Sequence, residues 1–436
     1  MKTFQSHPAQ VFFLMVLMIT SFSSAIIAQT VVSNSSEGKV PPYTLPDPLA
    51  GKDGKKITTA AQWNKVQRPY IFQLFEENVY GRFPVKKIPI RFAVRETSQQ
   101  ALNGLAIRKQ IRIYLHPADS SVYMDLLVYL PAAAKGPVPV FTGYNFSGNH
   151  TIANDPAVFL AGSWIDPRGK GVVNNKATDS SRGAGASQWQ VPEILAHGYG
   201  VAVAYYGDIE PDNPDGWKTG IRTTLSDVLQ IKPDEWGAIG AWAWGLARVM
   251  DYLQQDKQVD KNRIALIGHS RLGKAALWAG AADQRFAIIV SNESGEGGAA
   301  LSKRWYGETV GIINQKFPHW FAANYKKYND NTAALPVDQH MLLSLMAPRP
   351  LYVASAEGDQ WSDPKGEFLG AVHTGPVYAL FNKKGIDTDS MPGLQQPVGQ
   401  TIRYHYRAGK HDVTLYDWQQ YLQFADGYWK LETIKR

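Results

Sequence analysis

Arg263-Ile-Ala-Leu-Ile-Gly-His-Ser-Arg-Leu-Gly-Lys-Ala-Ala-Leu-Trp278 reads as strand, sharp turn and helix. Ile264–Ile267 is an apolar run of strand length, and Lys274–Ala282 has helical composition. Gly268, His269 and Ser270 fall at the turn between them. That layout lifts a serine hydroxyl to the top of a sheet, where it can act as a nucleophile. The following helix points its N-terminus at the same spot, which favours developing negative charge. The strict pattern for such a turn is Gly-x-Ser-x-Gly; here position 272 is Leu and the glycine falls at 273. A serine in this layout also suits an ordinary helix N-cap.

Outward from this stretch, Val138–Thr142, Val201–Tyr205, Ala287–Val290 and Leu351–Ala354 are near-continuous apolar runs. Strands buried on both faces have this composition. Helical segments separate them, Ile239–Gln254 among them. The alternation predicts an α/β fold: a mostly parallel central sheet flanked by helices on both faces, a three-layer sandwich. With the serine turn, this is the α/β-hydrolase layout. Earlier in the chain, Trp63–Tyr80 reads as a helix ended by Gly81 and Pro84. Ile88–Val94, Ile107–Tyr114 and Tyr123–Leu130 then alternate with short separations, which predicts an antiparallel start to the sheet. One catalytic domain over residues 45–436 is the simplest reading. The long connections 144–192 and 295–345 carry Trp164, Trp189, Trp305 and Trp320, and suit loops folded over a substrate cleft.

The composition, 44% hydrophobic and 19% charged, is that of a globular protein rather than a disordered one. The 13 Trp and 21 Tyr suit stacking on sugar rings, although core packing accounts for such residues too. There are no cysteines, which excludes disulfides, Cys–metal sites, a Cys nucleophile and a lipoprotein anchor. Lys2, the apolar run Val11–Ile19 and the small residues Ala25–Ala28 predict a signal peptide over 1–28, with an uncleaved anchor as the alternative. Residues 29–44 are polar and Pro-rich, and read as a linker lying along the surface. Export without disulfides leans toward a bacterial periplasmic or extracellular protein. In a bacterium the sequons at Asn34, Asn145 and Asn149 carry no meaning. The net charge of +7 is scattered and no nucleic-acid motif accompanies it. A positive surface would favour acidic polysaccharide, and a plain solvated surface explains it equally well.

A serine hydroxyl needs a base, and the base needs an orienting acid. His411 follows the strand-like run Thr401–Tyr406, where the base is expected. His269 is adjacent to the serine and cannot fold back onto it. His405 falls within a strand, and His319 and His340 read as structural. Two acids compete, Asp359 after the run Arg349–Ala354 and Glu293 after Ala287–Val290; either or both can orient His411. Glu296 and Glu357 read as bystanders. Arg271 offers the backbone N–H after the nucleophile, the usual oxyanion donor, and a guanidinium to reinforce it, with a surface salt bridge as the alternative. Lys274 stands one helical turn beyond Ser270, on the same face. No His/Asp/Glu spacing reads as a metal site, and no cofactor is implied.

The stretch Gly268-His-Ser-Arg-Leu-Gly-Lys-Ala-Ala-Leu-Trp-Ala-Gly-Ala281 resembles the glucuronoyl esterases, carbohydrate esterase family 15. So do Trp236–Tyr252, Asn145-Phe-Ser-Gly-Asn-His150, Ser291-Asn-Glu-Ser-Gly-Glu-Gly-Gly298 and Glu357-Gly-Asp-Gln-Trp-Ser-Asp363. The resemblance covers roughly residues 45 to 430, and Ser-Arg-x-Gly-Lys is quite specific to that family. It implies hydrolysis of the ester between lignin alcohols and glucuronic or 4-O-methyl-glucuronic acid on xylan. By resemblance Ser270 is the nucleophile, His411 the base, Glu293 an acid, Asp359 the alternative acid of bacterial members and Arg271 the oxyanion donor. Lys274, Glu308 and Trp361 would bind the sugar hydroxyls. Fungal members usually have Cys beside the serine; His269 stands here, as in the bacterial branch. The implied partner is a glucuronoxylan or lignin–carbohydrate ester, with no nucleic acid, no stable membrane insertion after signal removal, and a monomeric enzyme. A cationic pocket would stabilise developing charge and hold the acid product, which makes product release a candidate slow step. Three alternatives remain: another carbohydrate esterase such as a deacetylase, a serine peptidase, and a glycan-binding protein without catalysis.

Overall fold

The computed structural model describes residues 1–3 and 33–429. All but the first three residues of the expected signal peptide, and the start of the expected linker, lie outside the described residues. From Ser33 onward the chain is one unit. The rest of the expected linker is bonded into it: Ser33 Oγ donates to Gly307 O at 2.7 Å, and Gly307 N to Asn34 O at 2.7 Å.

Ten strands form one sheet: β1 (Arg91–Gln100), β2 (Ala106–Tyr114), β3 (Tyr123–Pro131), β4 (Val138–Asn145), β5 (Gly200–Tyr205), β6 (Val259–His269), β7 (Ile288–Asn292), β8 (Leu351–Ala356), β9 (Val398–Gly399) and β10 (Ile402–Arg407). Their order is β1-β2-β3-β5-β4-β6-β7-β8-β10-β9. The run β5-β4-β6-β7-β8-β10 is parallel throughout. The first three strands are antiparallel and join it through β3. The predicted parallel core and antiparallel start are both present. The first strand begins at Arg91 rather than Ile88, because Pro89 has no N–H to give to a ladder. Its far end runs on through polar residues to Gln100, as an edge strand can.

Alternate residues of each strand serve opposite faces. Val201 and Val203 of β5 pack in one apolar cluster, Ala202 and Ala204 in the other. The Ala202/Ala204 cluster is covered by α1 (Arg68–Phe75), α2 (Ala238–Leu253), α3 (Arg271–Ala282) and α4 (Pro364–His373); the Val201/Val203 cluster by α5 (Leu415–Trp429). Only Arg248 and Asp251 of α2 escape burial, which is why its sequence is apolar all round. Trp189, expected over a cleft, instead packs on Trp418 of α5 with ring centroids 6.0 Å apart. On the other long connection Trp320 does meet the serine turn, with its ring centre 5.2 Å from the Arg271 guanidinium.

The turn from β6 to α3 is the tightest crossing near the site. Ser270 has φ 56° and ψ −131°, a conformation costly for a residue with a side chain. Its hydroxyl makes no capping bond to the helix, so the plain N-cap alternative does not describe it. A Cβ at Gly268 would lie 2.1 Å from Leu272 O, whereas one at Gly273 would lie 2.9 Å from the Ser294 side chain. This explains the displaced glycine of the motif. Space is needed at 268 and 273, where strand, helix and the loop after β7 meet; Leu272 is buried core. Alanine at Gly268 must therefore displace backbone outright, whereas alanine at Gly273 meets Ser294 Cβ at 2.9 Å and Gly268 O at 3.1 Å, a smaller overlap. We expect Gly268→Ala to cost about 3 kcal/mol and Gly273→Ala about 1.5 kcal/mol in urea unfolding. Equal losses would contradict this account of the crossing.

Candidate active site

The expected nucleophile, base and acids sit just past the ends of parallel strands, on the edge where open α/β sheets place their sites. Ser270 follows β6, Glu293 follows β7, Asp359 follows β8 and His411 follows β10. His411 Nδ1 donates to Asp359 Oδ2 at 2.6 Å and lies 3.0 Å from Glu293 Oε2. The two competing acids are thus both within reach of one ring nitrogen.

Their surroundings differ. Glu293 is buried, with φ 47°. Its Oε1 accepts from Arg407 Nη2 at 2.6 Å and its Oε2 from the Asp412 N–H at 3.2 Å. Burial pushes its carboxyl up to about 7, against the pull of His411 and Arg407. Asp359 is also buried, yet its hydrogen bond from His411 overcomes the burial and holds its carboxyl below the usual value. For His411 burial acts downward, and the bonds to Asp359 and Glu293 outweigh it, lifting the imidazole to about 9.

Asn292, at the end of β7, ties the serine turn to the histidine loop. Its carbonyl accepts from Ser270 N at 2.9 Å. Its amide donates to His269 Nδ1 at 2.9 Å and to Asp412 O at 3.0 Å, and its oxygen accepts from Tyr421 Oη at 2.5 Å. The bond to Nδ1 puts the His269 proton on Nε2. His269 lies against His411, with ring centroids 4.4 Å apart. Burial, then the charge of His411, holds it well below its ordinary value, so it stays neutral.

Arg271 lies over Phe146 and Trp320, at 5.4 and 5.2 Å from their ring centres, and pairs with Asp212 Oδ2 at 3.3 Å. Asp212 also accepts from Trp320 Nε1 at 2.7 Å and bonds His319 Nε2 at 2.9 Å. Burial alone would raise the Asp212 carboxyl; the His319 bond and the Arg271 charge bring it below its ordinary value. His319 is therefore not merely structural, because it orients the acid that holds Arg271. His340, by contrast, turns its Nε2 to Pro46 O, away from the site groups, in keeping with a structural histidine.

Lys274 is buried, donates to Ser294 O at 2.6 Å and stands 3.8 Å from Glu308 Oε2. Burial lowers the lysine and raises the glutamate, and each pulls the other back. Glu308 N donates to Trp361 O at 2.8 Å, and the half-exposed Trp361 ring carries Lys316 Nζ 4.0 Å above it. The three residues expected to bind sugar thus meet one turn from Ser270. Glu296, expected as a bystander, is buried and anchors its own loop through Ser302 Oγ at 2.6 Å and Tyr325 Oη at 2.5 Å.

Sequence reasoning missed Asp212, Asn292, Arg407 and Asp417. Arg407 Nε donates to Asp417 Oδ2 at 2.8 Å, and His405 Nε2 bonds the same carboxylate at 2.8 Å. Asp212 and Asn292 act on partners distant in the chain, which no spacing signals; Arg407 and Asp417 lie ten residues apart, across the turn after β10, with no recognisable motif. Among the described residues, His269, Glu293 and His411 have potential metal-ligand atoms within 4.8 Å of one another. Glu293 is committed to Arg407 and His411, and His269 Nδ1 to Asn292, so the cluster is satisfied by its own hydrogen bonds.

A family model for glucuronyl esterases of fungi matches residues 228–381, the segment holding Ser270, Glu293, Glu308, Asp359 and Trp361. The carbohydrate esterase MZ0003 of an unknown prokaryotic organism is 47% identical over 420 residues, 95% of this chain and 97% of its own. A solved glucuronoyl esterase from Solibacter usitatus is 54% identical with a TM-score of 0.85, covering 90% of this chain and all of that one. A promiscuous CE15 esterase from a marine bacterial metagenome is 47% identical, also with a TM-score of 0.85, over 91% of this chain and 99% of its own. With identity at this level along nearly the whole chain, and the serine turn, His411 and the Lys274–Glu308 pair gathered on one edge of the sheet, the chain belongs to the glucuronoyl esterases of carbohydrate esterase family 15.

Proposed function

We propose that the protein is an exported bacterial serine esterase that cleaves the ester between glucuronic or 4-O-methyl-glucuronic acid of xylan and lignin alcohols. The observation that carries the substrate is the buried Lys274–Glu308 pair beside Trp361, one helical turn from Ser270. A charged pair at that place can donate to and accept from the hydroxyls of a sugar ring, whereas an acetyl group would have no use for it. The apolar run Val11–Ile19 supports export. Among the described residues no helix is long and apolar enough to cross a membrane. One chain supplies every group the reaction needs, so a monomer suffices.

In this reading His411 Nε2 takes the Ser270 proton as Oγ attacks the uronate carbonyl. The carbonyl oxygen becomes an oxyanion, held by the Arg271 backbone N–H at the helix N-terminus and by its guanidinium. Collapse expels the alcohol, which leaves with the proton from His411, and Ser270 keeps the acyl group. Water, activated by His411 in turn, releases the uronic acid. Asp359 is the main partner of the imidazolium, since it is the closer acid and keeps its charge. Glu293 is the second.

Hydrolysis of benzyl glucuronate beside an acetylated sugar tests the reading. Turnover of the uronate ester should fall about 10⁴-fold or more in Ser270→Ala. Turnover of the acetylated sugar alone would make the protein a deacetylase, and turnover of neither would make it a glycan-binding protein. Asp359→Asn and Glu293→Gln should each cost roughly 10-fold, and the double variant on the order of 10³-fold. Equal losses in all three would refute shared orientation. The pH profile follows from the raised imidazole. The base form is lost as pH falls below about 9, so kcat/KM should fall on that side. Removing the anion in Asp359→Asn lowers the His411 pKa, so the acid limb should move to lower pH; an unmoved limb would mean that Asp359 does not set it.

A further inference from the structure

We propose that the cleft between Trp305 and the segment Pro41–Thr44 is a subsite for the neutral glycan chain that carries the uronate, a proposal resting on the reading above. The cleft holds roughly 1080 Å³ with its open mouth, and is lined by Pro41, Pro42, Tyr43, Lys303, Trp305 and the loop 330–333.

Trp305 is an unusual use of a tryptophan. Its backbone has φ 52° and ψ 51°, a left-handed conformation that favours glycine or asparagine over a bulky residue. Its side chain is 39% exposed, so burial does little to offset that strain. Folding alone would be better served by a small residue. An indole face held open to solvent beside a second aromatic, Tyr43, suits stacking against the apolar face of a pyranose.

The opposite wall is pre-formed. Pro41 and Pro42 restrict their own backbone. Glu37 just before them pairs with Arg304 at 2.6 Å and Lys365 at 3.0 Å. The cleft's lysine offers no charge to an anion: Lys303 Nζ donates to Thr332 O, Ala333 O and Leu335 O at 3.1, 2.9 and 2.8 Å. The exposed polar residues of the lining are Thr44, Asp330 and Asn331. Aromatic walls with hydroxyl-seeking groups at the rim, and no available cation, point to a neutral sugar rather than to a second uronate.

One short loop ties the cleft to the active site. Trp305 is three residues before Glu308, so their Cα atoms lie within about 11 Å. Gly307 between them packs so closely on Trp361 that a Cβ would lie 2.4 Å from its carbonyl oxygen. The loop that offers Glu308 to the uronate therefore offers Trp305 to whatever the uronate branches from.

The test compares wild type with Trp305→Ala on methyl glucuronate, on the same ester carried by a xylo-oligosaccharide, and on benzyl glucuronate. We expect unchanged kcat/KM on the single sugar and about a 10-fold loss on the oligosaccharide ester, mainly through KM. Calorimetric titration with xylohexaose, which needs no turnover, should show binding to wild type and loss of binding in Trp305→Ala. Trp305→Gly, which the left-handed backbone accepts, should behave like alanine, and Trp305→Phe should retain most of the binding. Equal kcat/KM on the oligosaccharide ester in wild type and Trp305→Ala, or no xylohexaose binding to wild type, would overturn the subsite. A loss confined to the benzyl ester would overturn it too, by assigning the cleft to the lignin side. Failure of the esterase reading looks different: wild type would turn over none of the three esters, while the xylohexaose titration would still report on the cleft.

Discussion

The carbonyl oxygen of Leu272 stands 2.1 Å from where a Cβ at residue 268 would be, and every reacting group is placed relative to that crossing. Because helix α3 passes so close to the end of β6, the chain between them must turn within one residue, and Ser270 takes the strained conformation. The strain persists because Asn292 over-determines it. This buried residue bonds the Ser270 backbone, the His269 ring and the Asp412 carbonyl, and is itself held by Tyr421. Asp412 is the neighbour of His411. Serine and histidine are thus referenced to the same side chain, and the distance between them does not depend on the flexibility of the loop after β10.

Charge at the site is balanced more tightly than the residue types suggest. Arg271 has Asp212, Lys274 has Glu308, Arg407 has Glu293 and Asp417, and His411 has Asp359. A pocket read from sequence as cationic is in fact a set of pairs. A neutral ester meets little net field on entering. The oxyanion draws mainly on donors already oriented, which is the effective form of such stabilisation. The acid product also meets carboxylates, Glu308 and Asp212, beside each cation, so the expected retention of product loses its basis. Paired cations cost the site some raw attraction and give it fixed geometry.

The parts of the fold that could be read from sequence are those governed by local pattern. The buried strands are continuous apolar runs, and the α2 and α3 segments are apolar or alanine-rich over their whole length. Strand order was not readable in residues, but the alternation of strand and helix implied a parallel core, and each strand end then became a candidate site position. Ser270, His411, Glu293 and Asp359 became candidates that way, and the structure brings both acids to His411, whereas the sugar-binding role expected of Lys274, Glu308 and Trp361 came from the family resemblance. What escaped is whatever acts through another residue across long sequence separation. Asp212 reaches Arg271 and His319, and Arg407 links Glu293 to Asp417. Such groups have no characteristic spacing, since the sheet brings them together only after its order is set. Trp189 failed for the converse reason: a tryptophan on a long connection looks the same in sequence whether it covers a cleft or, as here, a helix.

Two acids on one ring nitrogen need not do the same work. Glu293 shares its charge with Arg407 and accepts the Asp412 N–H, so it holds the histidine loop whether or not His411 is protonated. Its raised carboxyl fits a group whose charge is partly cancelled and whose hydrogen bonds matter more. Asp359 has a shorter bond to Nδ1 and a carboxyl kept low. If His411 takes the serine proton as proposed, the attraction that grows is chiefly the one to Asp359, because the charge of Glu293 is already shared with Arg407. In the proposed mechanism both acids orient the ring while stabilisation of the imidazolium falls chiefly to Asp359, a division that sequence position alone, which places both acids at strand ends, has no means of expressing.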